Sequence, residues 1–369
     1  MGQRANLVIV KKDGYDLYYN HWCANTLPES LFWGPEHAIA FIERQTKVDE
    51  TGWLDDIWAE GGVLIDEACK LLLFFGGEDL SRDIPSRRLF LALMQTLWTG
   101  WEIRWANEGI WDISEYAGAS GDKVAAKRDD VRLLESLAPP EEKNGVDTIG
   151  SLTFEDGEQL IYPLEGGTEG YLWIGPELAH PSNKVGGFEQ FHAAEWTDNF
   201  PSSGFHLDVG QKRIDIWHAE VCTNLAIRLR ERWSGWVICE HYDRYEVQIE
   251  KTEGRLQLHH RDRNKLLGEI EASLLRTPIK PVDELFSIVN HLESEGKEVK
   301  VNSFAVNHTT YEPPVHVREE RLKFAIEYLD QQTKPSFQGH TGLQEAKMTK
   351  FRRVCKQILG IGSRDRRKN

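Results

Sequence analysis

Short apolar runs broken by turn residues open the chain, and the same succession returns roughly 140 residues later. Leu7–Val10 and Leu17–Tyr19 flank Asp13-Gly14, as Ile149–Leu152 and Leu160–Tyr162 flank Asp156-Gly157. A D-G pair between two such runs predicts a tight hairpin turn. Next come Leu31-Phe32-Trp33 before Gly34-Pro35-Glu36, and Leu172-Trp173-Ile174 before Gly175-Pro176-Glu177. Leu64-Ile65-Asp66 is followed by His206-Leu207-Asp208 in the second series, each ahead of a predicted strand containing Lys70 or Lys212.

Two helical stripes complete the series. Phe90, Met94 and Trp98 repeat at i, i+4, i+8, and so do Leu225, Leu229 and Trp233. Each stripe ends in W-x-G-W, at Trp98-Thr99-Gly100-Trp101 and Trp233-Ser234-Gly235-Trp236. With 13 Trp and 31 Gly in 369 residues, that pattern should occur about 0.04 times by chance, so two copies in matching context point to duplication. Residues of about 5–117 and 149–254 are read as two diverged copies of one unit.

Each copy reads as hairpin, helix, hairpin, helix, and a final strand or hairpin. Pro35 at N1 with Glu36 in the first turn starts a helix in copy one, whereas Pro181 and Gly186-Gly187 turn the matching stretch of copy two into a loop. Residues 76–85 have no counterpart in copy two. Strands joined by short turns predict antiparallel pairing, and the few helices predict cover on one face. The expected fold is therefore α+β: two tandem copies of an antiparallel sheet with helices, a two-layer sandwich made twice, followed by a helical C-terminal extension.

The expected organisation is a first repeat at 1–145, closed by a helix at 122–137 and the linker Pro139–Gly145, then a second repeat at 146–276. A helix-strand-helix extension occupies 277–329, with helices at 282–295 and 317–329 and a strand at 298–306. Residues 330–369 read as a tether and a basic tail. In that tail Met348, Phe351, Cys355, Ile358 and Leu359 fall at helical spacing. Lys347, Lys350, Phe351, Arg352, Arg353 and Lys356 are its candidate partner-binding residues.

Charge changes the picture more than composition does. The net −15 becomes −23 once the +8 of residues 346–369 is set aside. An acidic body opposes nucleic acid and favours solubility or a basic protein partner, leaving nucleic acid to the tail alone. The longest apolar run, Leu71–Phe75, is too short to cross a bilayer, and five cysteines without a C-x-x-C pair read as reduced thiols. A cytoplasmic location is expected, with no cofactor or resident metal; a homo-oligomer is compatible with these features.

Residues matched in both copies are assigned to scaffold, so asymmetric polar residues become the site candidates. His241, Asp243, His259, His260 and Asp262 belong to copy two alone and are the catalytic candidates, as metal ligands or as a base with its orienting carboxylate. The competing reading makes them the solvent face of an edge strand. Glu298-x-Lys300 resembles the acid-x-Lys end of a metal-dependent nuclease site, against the plainer reading of alternating charge on an exposed strand. Cys23 beside His21 is read as a buried, inert thiol. The leading expectation is a non-catalytic binding protein, such as an immunity protein, antitoxin or regulator. The alternative is a metal-dependent hydrolase or nuclease using the His and Asp groups of the second repeat.

Overall fold

The computed structural model describes residues 3–126, 137–277, 281–306 and 311–333. The chain divides into two compact units, Met1–Ile326 and Glu327–Asn369, and every strand belongs to the first. The tail residues 347–356 and most of the helix expected at 122–137 lie outside the described residues.

The first unit is mixed α+β with two main sheets. One sheet comprises β1 (Ala5–Lys11), β2 (Gly14–Asn20), β3 (Thr46–Val48), β4 (Gly61–Asp66), β5 (Leu71–Phe75) and β6 (Glu102–Trp105). Its helices are α1 (Leu27–Phe32), α2 (Pro35–Glu43), α3 (Glu78–Arg82), α4 (Ile84–Leu97) and α5 (Ile110–Ala117). The second comprises β7 (Thr148–Thr153), β8 (Gln159–Leu164), β10 (Ser203–Asp208), β11 (Arg213–His218) and β12 (Val237–Glu240), with α6 (Thr168–Leu172), α7 (Leu225–Leu229) and α8 (Glu246–Lys251). A two-stranded ladder joins β9 (Phe191–His192) to β13 (Leu256–Gln257), and α9 (Arg263–Leu275), α10 (Pro281–Ser294), α11 (Ser303–Val306) and α12 (Val315–Thr333) succeed it along the chain. Residues 298–302 form no strand and 303–306 are helical, which corrects the strand expected at 298–306.

Strand order in the first sheet is β3-β2-β1-β4-β5-β6, and in the second β8-β7-β10-β11-β12. Apart from β3, the two orders correspond strand for strand. The hairpins are antiparallel as expected, but β1 runs parallel to β4, β5 to β6, β7 to β10 and β11 to β12. Helical crossovers between hairpins return the chain in the same direction, so the sheets are mixed, not antiparallel.

The sandwich is also thicker than two layers. In the second sheet, Leu160, Tyr162, Leu164, Phe205, Leu207, Ile214 and Ile216 pack with α6 and α7, while Ile149 and Ile161 pack on the opposite face with Phe191 and Leu256. In the first, α5 packs through Ile110 and Ile113 on Val8, Leu64, Leu73 and Phe75. Every residue of β4 and β5 is buried, which requires cover on both faces.

The repeated landmarks act together. Trp98 Nε1 donates to Leu31 O at 3.0 Å, and Trp233 Nε1 donates to Leu172 O at 2.7 Å. Each indole thus ties the end of its helix to the Leu three residues before G-P-E. Gly100 and Gly235 adopt φ of +78° and +80°, reversing the chain so that Trp101 and Trp236 meet the first indoles edge-on at 5.1 and 4.8 Å. Lys70 and Lys212 lie in turns rather than strands, both left-handed at φ near +50°. Asp66 Oδ1 and Asp208 Oδ1 stabilise those turns by accepting Cys69 N and Gln211 N, each at 2.9 Å.

The halves meet reciprocally. Three residues past β6, Glu108 Oε2 accepts Asn224 N at the start of α7 (2.6 Å). Three residues past β12, Asp243 pairs with Arg88 in α4 (3.4 Å). Between these contacts Arg87, 1% exposed, gives Nη1 to Leu80 O and Ala219 O and stacks 4.6 Å from the Trp105 ring.

Candidate functional site

Strand register places the two α5/α8-side faces in correspondence. Ala5 faces Gly61 as Thr148 faces Ser203, and Leu71 faces Glu102 as Arg213 faces Val237. On that alignment Val8, Leu64, Leu73, Ala106 and Ile113, all in one apolar cluster of the first half, correspond to Ser151, His206, Asp215, His241 and Gln248. An apolar face in one half is a polar face in the other.

The polar face is internally bonded. Ser151 Oγ lies 2.9 Å from His206 Nδ1, and Gln248 Nε2 donates to Ile149 O, Ser151 Oγ and Phe205 O at 2.7–3.0 Å. The Gln248 carbonyl accepts Trp217 Nε1 at 2.7 Å. His206 is buried, which draws its pKa down to about 4. At the open end, Asp215 is 3% exposed and receives Arg213 through Nε (2.8 Å) and Nη2 (2.7 Å). His241 Nε2 lies 2.7 Å from Asp215 Oδ1, and Lys251 Nζ 3.6 Å from Oδ2. Burial pushes the Asp215 carboxyl up, but the Arg213 fork, His241 and Lys251 more than reverse it, holding it at about 2.

The sequence candidates do not converge. His241 joins Asp215, whereas Asp243 pairs with Arg88 between the halves. His259 Nε2 lies 2.5 Å from Thr197 O, His260 is exposed, and Asp262 caps α9 by accepting Lys265 N at 2.8 Å. Among the described residues no group of three or more His, Cys, Asp or Glu is placed to hold a metal ion. Cys23 is buried, which raises its thiol pKa. Sequence reasoning missed Ser151, His206, Asp215 and Gln248. The alignment of His206 with Leu64 carried the signal, since it sets a polar residue against an apolar one on a buried strand.

A large cleft lies elsewhere. A cleft of about 820 Å³ runs between the two halves and α9, lined by seven carboxylates and three guanidiniums. All three guanidiniums are paired: Arg82 with Glu220 (2.8 Å), Arg261 with Asp83 (2.9 Å) and Arg276 with Glu29 (3.0 Å). Asp79 and Asp147, also in the lining, make no ion pair within 4.0 Å among the described residues, although Asp147 acts on Arg82 at longer range. No family model, curated protein or solved structure matches the chain.

Proposed function

We propose that the protein is a non-catalytic binding protein that holds a basic segment of a protein partner in the cleft between two diverged copies of one α+β unit. The copies span 1–145 and 146–276 in this reading, with an extension at 277–329 and a basic tail at 330–369. One observation carries it: the cleft has more carboxylates than cations, its guanidiniums are already spent, and it belongs to a body of charge −23. A cation entering there meets Asp79 and Asp147 without displacing an internal pair. This suits an immunity protein, antitoxin or regulator in the cytoplasm, with Lys347, Lys350, Phe351, Arg352, Arg353 and Lys356 as a separate contact. Among the described residues no helix is long and apolar enough to cross a membrane.

The test is fluorescence anisotropy with a labelled arginine-rich peptide. Reversing charge at Asp79→Lys and Asp147→Lys together should weaken binding at least about tenfold, an electrostatic change of roughly 1.4 kcal/mol. Added salt should weaken the wild type more than the variant. Equal affinity in both proteins rejects the cleft.

A second reading, hydrolase or nuclease, draws support from His241 and Asp215, a carboxylate-oriented imidazole that still reaches solvent. Both Asp215 oxygens are occupied by cationic donors, so the pair suits proton transfer better than metal ligation. Hydrolysis of ester or phosphodiester substrates, assayed with and without divalent ions, decides it. Turnover that disappears in a folded His241→Ala variant would replace the binding reading.

A further inference from the structure

Three elements meet at a buried junction: α1, the C-terminal end of α9, and the segment from Tyr311 into α12. From α1, Glu29 Oε1 accepts Ser273 Oγ at 2.7 Å and Arg276 Nη2 at 3.0 Å, while Glu29 Oε2 is buried with no donor. The next residue, Ser30, donates to Glu312 Oε1 at 3.3 Å. Arg318 is 4% exposed, yet it gives Nη1 to the carbonyls of Leu274 and Arg276 (2.8 and 3.2 Å) and leaves Nε without a partner. Two carboxyls therefore flank Ser30, and Arg318, whose charge partly offsets Glu312, spends its hydrogen bonds on backbone. Glu29 lines the large cleft, and Glu312 lines a second cavity of about 740 Å³.

A buried carboxylate oxygen without a donor is costly, and a neighbouring like charge raises the cost further. The surrounding charges do not cancel it. Arg276 serves Glu29; on α12, Arg318 and Arg321 bond carbonyls; on α2, Arg44 stacks on Tyr311 and His37 is held neutral by burial. Asp79, on α3, adds negative charge to Glu29. A proton on Glu312 removes the like charge beside Glu29 and relieves the pair.

We propose that this junction is a proton-operated strap: with a proton on the Glu29/Glu312 pair, residues 311–326 are held against α1 and α9. Loss of the proton frees the strap and moves the Glu29, Ser273 and Arg276 wall of the cleft, so the strap regulates access to it. The regulatory half rests on the reading of the cleft as the partner site. Burial pushes the Glu312 carboxyl up to about 7, with Arg318 opposing, and burial likewise raises Glu29. A raised carboxyl pKa stabilises the folded contact fully below its ordinary value of 4.5. That stability is lost as pH rises through about 7, so the strap closes in acid and opens in base.

The experiment is hydrogen exchange on the full chain, corrected for the intrinsic rate, at pH 6 and pH 8, with arginine-rich peptide affinity measured in parallel. The opening constant of 311–326 should rise by about tenfold per pH unit above 7 in the wild type. Glu312→Gln, checked for folding by circular dichroism, should stay closed at both pH values. Glu29→Gln removes the like charge and should move the transition to lower pH, which keeps the idea testable should Glu312→Gln misfold. Equal protection at both pH values, a pH response surviving in Glu312→Gln, or a transition unmoved by Glu29→Gln overturns the strap. Exchange that changes while peptide affinity does not overturns the coupling to the cleft. No peptide binding at either pH rejects the cleft reading alone, and exchange still decides the strap.

Discussion

Trp233→Ala is expected to cost about 3–5 kcal/mol of folding stability, and Trp98→Ala a similar amount. Both indoles are almost completely buried and stand at equivalent places. Each fills the space between its helix and the strands, and its N–H is the donor to a Leu carbonyl in the helix before G-P-E. Truncation removes the apolar contact, leaves a cavity and takes the indole donor from the carbonyl, although Leu172 O keeps Gly175 N at 3.2 Å. Trp→Phe separates these effects, because it keeps most of the volume and loses only the hydrogen bond, at about 1–3 kcal/mol. Trp101 and Trp236 are only partly buried and meet the first indoles edge-on, so their alanine variants should cost less. Urea unfolding followed by far-ultraviolet circular dichroism reads all six variants without relying on tryptophan emission. Loss in the alanine variants is large against a usual total of about 5–15 kcal/mol. A Trp233→Ala protein within about 1 kcal/mol of wild type would mean the indole is not what ties this segment to α6.

The same residues explain how much of the fold is legible in the sequence. Trp, Gly and the Asp of a turn carry their geometry locally, so W-x-G-W, G-P-E and the Asp66 and Asp208 turns stand out by type and spacing. The layering differs from the two-layer expectation although Leu71–Phe75 hold the information. Five consecutive apolar residues on a strand signify burial on both faces, whereas one-sided cover would leave alternation. Lys70 and Lys212 read as strand residues because a left-handed lysine has no sequence mark; only φ reveals the turn. The candidate site is legible at His241, where polarity appears in one half only. His259, His260 and Asp262 share proximity in sequence with it, but the chain turns into α9 and uses Asp262 as a cap. Asp215 and His206 needed register, because whether a strand residue shares a face with His241 depends on pairing that no single segment encodes.

That register predicts the effect of converting one face into the other. Asp215→Leu alone should lose about 3–5 kcal/mol, because Arg213 and His241 then stand around an aliphatic side chain with their charge-assisted bonds gone. Adding Arg213→Leu and His241→Ala installs the first half's set, Leu71, Leu73 and Ala106, on a backbone of the same strand order. Removing both sides of a buried ionic cluster together is commonly neutral or stabilising by about 1–4 kcal/mol, so the triple variant should recover most of the loss. The Ser151, His206 and Gln248 bonds are satisfied among themselves and survive the change. pH supplies an independent reading. The Asp215 carboxyl is depressed to about 2 from an ordinary 3.8, so its contribution is present above 3.8 and lost as pH falls toward 2. Stability of the wild type should therefore fall across that window more steeply than stability of the triple variant. A triple variant as unstable as Asp215→Leu would show that the two faces are not interchangeable, leaving only the strand orders and the W-x-G-W turns to support reading the halves as copies.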